Sequence, residues 1–63
     1  MPAEILLTSG QRSVTVDADP SSVADDLLHA VEREDVLVEF KIVGPHGSEV
    51  YVNPLHVMVV RPA

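Results

Sequence analysis

Cysteine and tryptophan are absent from this 63-residue chain, and Phe40 and Tyr51 are its only aromatic residues. Without thiols, neither a disulfide nor a thiolate zinc site can supplement a small core. Basic residues are scarce too: Arg12, Arg33, Lys41 and Arg61 face ten carboxylates, for a formal net charge of −6. An electrostatic hold on phosphates needs the opposite sign, so direct binding of nucleic acid or of anionic membrane surfaces is not expected. No apolar run approaches the roughly 20 residues of a membrane span. Met1-Pro2-Ala3-Glu4 lacks the basic region and apolar stretch of a secretion signal, so a cytoplasmic location is expected.

Hydrophobic residues, by contrast, make up 46% of the chain, too many for a disordered acidic tail. The length allows one domain spanning residues 1–63. A domain of this size buries only about 60% of the surface its unfolded chain exposes, which leaves a thin stability margin. Twelve valines and three arginines against a single lysine suggest coding from a high-GC genome, such as an actinobacterium or one of its phages.

Periodicity and turn chemistry divide the chain into six elements. Ile5-Leu6-Leu7 is a short apolar run, and Ser13-Val14-Thr15-Val16-Asp17 alternates polar and apolar as a half-buried strand does. Thr8-Ser9-Gly10-Gln11 joins them as a hairpin turn, with Gly10 free to take a positive φ. Asp19 as N-cap and Pro20 at the first helical position start a helix. Val23, Leu27 and Val31, flanked by Ala24 and Leu28, form its apolar stripe, while Asp25 and Asp26 sit early, where the macrodipole favours negative charge. The helix closes at Arg33-Glu34-Asp35 without a glycine. Asp35 through Val43 then reads as a long strand, Gly44-Pro45-His46-Gly47 as a turn and Val50-Tyr51-Val52 as the returning strand. Asn53-Pro54 interrupts the ladder because proline donates no N–H, Leu55-His56 makes a tight turn, and Val57–Val60 is the last strand.

The expected fold is therefore α+β: strand, strand, helix, strand, strand, strand, with one helix packed on a small antiparallel or mixed sheet. The opening hairpin followed by the Pro20-Ser21-Ser22-Val23 helix start resembles the β-grasp, or ubiquitin-like, layout. Modifiers and sulfur carriers of that family end in Gly-Gly, whereas this chain ends Arg61-Pro62-Ala63, so carrier chemistry is not expected. The segment from Gly47 to Val57 is similar to the closing stretch of several small uncharacterised actinobacterial and phage proteins, a likeness that implies no activity.

The residues that could do chemistry carry little signal. His29, His46 and His56 have no second ligand at a recognised spacing, and a structural zinc site usually needs four. The serines fall where caps and turns want them, without the glycine-flanked elbow of a nucleophile. Gly44-Pro45-His46-Gly47 lacks the lysine and following helix of a phosphate loop. A non-enzymatic protein without a cofactor is expected.

Excess apolar residues point to a binding role. Val36, Val38, Phe40, Ile42, Val50, Val52, Val57 and Val59 form the expected core face, which leaves Leu37, Val43, Tyr51, Met58 and Val60 on the opposite faces. One helix covers one face of a small sheet, and exposed patches of that size mark interfaces. Leu37, Tyr51, Met58 and Val60 are thus candidate interface residues for a homo-oligomer or a host protein, with Tyr51 the best single anchor. A one-residue slip near Asn53-Pro54 would exchange the faces. Two other readings stay open. In one, Arg12, Arg33, Lys41 and Arg61 gather by symmetry around a nucleotide-like ligand between subunits. In the other, the acidic surface inhibits a DNA-binding enzyme.

Overall fold

The fold is α+β, with one helix, five strands and the expected element order, in a computed structural model that describes residues 1–8 and 12–63. Alternation builds the first hairpin: β1 (Ala3–Leu7) runs antiparallel to β2 (Ser13–Val16), with Ala3 opposite Val16 and Ile5 opposite Val14. The Leu7 N–H donates to the Arg12 carbonyl at 2.9 Å and closes the ladder. Ser9, Gly10 and Gln11, the centre of the expected turn, lie outside the described residues. On the other side of β1 runs β5 (Val57–Pro62), also antiparallel, which gives a sheet of order β2-β1-β5. A second, two-stranded antiparallel sheet pairs β3 (Val38–Lys41) with β4 (Glu49–Val52). One bridge, Val16 to Ile42, links the two sheets. Flanking it, the Asp17 N–H donates to the Lys41 carbonyl at 2.8 Å and the Val43 N–H to the Thr15 carbonyl at 3.2 Å.

Helix α1 (Pro20–Glu32) starts where expected, with Pro20 in the first turn behind an extended Asp19. The Asp19 carboxylate does not cap it. It accepts instead from the Met1 ammonium at 2.7 Å, a contact that holds the amine above its ordinary pKa. Val23, Leu27 and Ala30 are the buried stripe, and they pack towards β1, β3, β5 and the turn after β4. Ala24 and Leu28, expected beside that stripe, are exposed, because each lies one helical step round from it. Asp25 and Asp26 fall in the second turn, beyond the first turn where the helix dipole acts most strongly.

The helix ends without glycine by placing Glu34 in the left-handed region, at φ 60°. The Asp35 N–H then donates to the Ala30 carbonyl at 2.8 Å and the Glu34 N–H to the Val31 carbonyl at 3.1 Å. These two bonds satisfy carbonyls that a helix end otherwise leaves unpaired. The left-handed residue also redirects the chain, so Val36 and Leu37 form a connector rather than the start of the long strand expected from Asp35.

The core consists of Ala3, Ile5, Val16, Val23, Leu27, Phe40 and Val52, with Val14, Val38, Val50, Val57 and Val60 packed against it. Of the residues expected inside, Val31 of the helix stripe is exposed, and so are two of the strand set, Val36 at 71% and Val59 at 39%. Val60, expected on the outer face, packs against the core opposite the fully buried Ile5. The cause is a bulge in β5. Val60 pairs with Ile5 and Val59 with Leu6, but Leu7 then pairs with Val57, leaving Met58 as an extra residue. One extra residue reverses the alternation, so Val57 and Val60 face the same side. The faces are thus exchanged by a one-residue slip, which lies inside β5 rather than near Asn53-Pro54.

Candidate functional site

Apolar residues outside the core define three surfaces. The first is an open groove of about 300 Å3 lined by Val31, Glu34, Asp35, Val36, Asn53 and Leu55. Its walls follow from local sequence chemistry. The left-handed cap turns Val36 back beside Val31, at the end of α1. Across from them, Asn53 Oδ1 accepts the Leu55 N–H at 2.9 Å, which caps the single 3₁₀ turn Pro54–His56. Pro54 is buried beneath that turn while Leu55 is 76% exposed above it. The charged groups that line the groove are both carboxylates, and the Arg33 Nε lies 3.1 Å from Asp35 Oδ2. This groove is not legible in the sequence. The sequence pattern places Val31 on the core stripe, Val36 in the core and Leu55 in a turn, and the helix cap and the 3₁₀ turn together bring them into one groove.

The second surface is the exposed face of the β3–β4 hairpin. Tyr51 lies opposite Glu39 and is 58% exposed. Its hydroxyl is 3.1 Å from Glu39 Oε2 and 3.4 Å from Glu49 Oε2. Those carboxylates raise the phenol pKa, chiefly through the hydrogen bond to Glu39, because a phenolate beside them would meet like charge. Leu37, just before β3, is exposed as well. The expected anchor Tyr51 thus sits between two carboxylates, with Lys41 opposite Glu49 on the same face.

The third surface is the open face of the three-stranded sheet, on the side away from α1. Val59 lies opposite Leu6, and the bulge residue Met58 beside it is 61% exposed. Further along, Glu4 and Arg61 are direct cross-strand partners, with Arg61 Nε 2.7 Å from Glu4 Oε1. That bond holds the Glu4 carboxyl below its usual pKa. Of the four expected interface residues, Leu37, Tyr51 and Met58 are exposed, but Met58 belongs to a different sheet from Tyr51, and Val60 faces the core.

The four basic residues sit on different elements: Arg12 before β2, Arg33 at the helix end, Lys41 on β3 and Arg61 on β5. Arg33 and Arg61 are already paired with Asp35 and Glu4. Among the described residues no three His, Cys, Asp or Glu side chains gather into a metal-holding group, and no helix is long and apolar enough to cross a membrane. Gly44-Pro45-His46-Gly47 joins β3 to β4, with the Ile42 N–H donating to the Ser48 carbonyl at 2.7 Å and Gly47 at φ 54°. No known protein family, curated protein or solved structure matches the chain.

Proposed function

We propose that the chain is a non-catalytic binding module that acts through protein–protein contact and associates with copies of itself. The observation that supports this reading most is the balance of apolar side chains. Among the described residues eight hydrophobic residues are buried, the seven of the core cluster and Ala30 on the helix, while ten large ones remain exposed. A core so small gains stability from burial against another chain.

The open face of the three-stranded sheet is the favoured surface for self-association. Leu6, Met58 and Val59 supply its apolar centre, and the Glu4–Arg61 pair beside them is neutral in sum. Two copies can bring such faces together without stacking like charges. The Tyr51 face is less suited, since it carries Glu39 and Glu49 against the single cation Lys41, and a two-fold contact would bring two such net negative faces together.

Native mass spectrometry across a concentration series tests this reading. The expected result is a homo-oligomer that dissociates when Met58 is replaced by Glu and survives Tyr51→Asp. A wild-type monomer at every concentration would remove self-association from the proposal.

A further inference from the structure

We infer that the groove between the end of α1 and the 3₁₀ turn is a docking site for a basic segment of a different protein, anchored by an aliphatic side chain. Three observations carry this. Its apolar walls, Val31, Val36 and Leu55, are exposed although two of them flank a hydrogen-bonded helix cap. Its volume, about 300 Å3, sits at the lower limit of ligand pockets and suits one or two side chains rather than a whole small molecule. Its potential is negative from two sources: Glu34 lines it, and the C-terminal end of α1 carries the negative pole of the helix dipole, while the charge of Asp35 is shared with Arg33.

Charge complementarity then selects the occupant. Lysine or arginine flanking an aliphatic anchor would meet Glu34 and the helix end while the anchor covers Leu55 and Val36. A second copy is a poor source of such a segment. Its net charge is −6, it has four basic residues, and Arg33 and Arg61 are engaged with their own carboxylates. The groove and the Met58 face are separate surfaces, so the module can assemble through one and present the other.

The test uses the full chain and a labelled lysine–leucine peptide. A lysine–serine peptide and a glutamate–leucine peptide serve as controls, read by fluorescence anisotropy and by methyl NMR. The expected result is saturable binding of the lysine–leucine peptide alone, with shifts at the methyls of Val31, Val36 and Leu55. Leu55→Asp should weaken that binding by about tenfold or more. Glu34→Gln should weaken it less and reduce its salt dependence, and Leu28→Asp, on the exposed helix surface, should leave it unchanged. Equal binding of the lysine–serine peptide, no binding, or shifts confined to the Tyr51 face would overturn the inference. So would an oligomer lost on Leu55→Asp but retained on Met58→Glu, because a second copy would then fill the groove. None of these outcomes except the last bears on self-association.

Discussion

Glu4 and Arg61 stand 57 residues apart in the chain and directly opposite each other on β1 and β5, joined by a 2.7 Å charge-assisted hydrogen bond. The bond ties the first strand to the last and lowers the Glu4 pKa. A carboxyl whose folded pKa is depressed contributes stability that is fully present above its unfolded pKa and is lost as pH falls through the folded value. Acidification from the ordinary carboxylate range downward should therefore weaken the wild type more than Glu4→Gln. Denaturant titrations at neutral and acidic pH check this, and NMR titration should show the Glu4 pKa rising in Arg61→Ala.

The alternation reversal in β5 makes a sharp contrast between neighbours. Val60→Asp places a carboxylate against Ile5 in the core and should unfold the domain, since burying an unpaired charge exceeds a small domain's margin. Val59→Asp should leave a dispersed amide NMR spectrum, because that side chain faces away from the core. The opposite pattern would show regular alternation through Met58.

Glu34 pays the steric cost of a left-handed conformation, roughly 1–2 kcal/mol for a residue with a Cβ. Glycine removes that cost but loses more entropy on folding, so Glu34→Gly should stabilise the domain by about 0.5–1 kcal/mol. Thermal unfolding followed by circular dichroism should show Tm rising by roughly 3–6 °C. Glu34→Val should shift it the other way.

Asn53 holds the turn that displays Leu55. Asn53→Ala removes the acceptor for the Leu55 N–H and should cost about 0.5–1 kcal/mol, whereas Asn53→Asp keeps the acceptor and should cost less. Methyl NMR of Leu55 should report the loosened turn in the alanine variant alone.

Where local chemistry acts within a few residues, the elements were legible in the chain. Asp19-Pro20 starts α1, Gly44–Gly47 turns β3 into β4, and Asn53-Pro54 ends β4, each through a backbone constraint present before any packing. The alternation of Ser13–Val16 likewise marks a half-buried strand whatever its partner. The candidate surfaces were only partly legible. Leu37, Tyr51 and Met58 read correctly as exposed, but the groove at Val31, Val36 and Leu55 did not show, because its walls come from three separate elements.

Sequence by itself determined the number, type and order of the elements, the acidic balance and the surplus of apolar side chains. Tertiary structure decided which of those side chains are inside. Val60 is inside and Val59 outside because Leu7 pairs with Val57 across a bulge, and Val36 is outside because Glu34 turns left-handed to satisfy the last helical carbonyls. The first depends on a backbone ladder to a strand distant in the chain and the second on capping hydrogen bonds at the helix end, and hydrophobicity along the chain encodes neither.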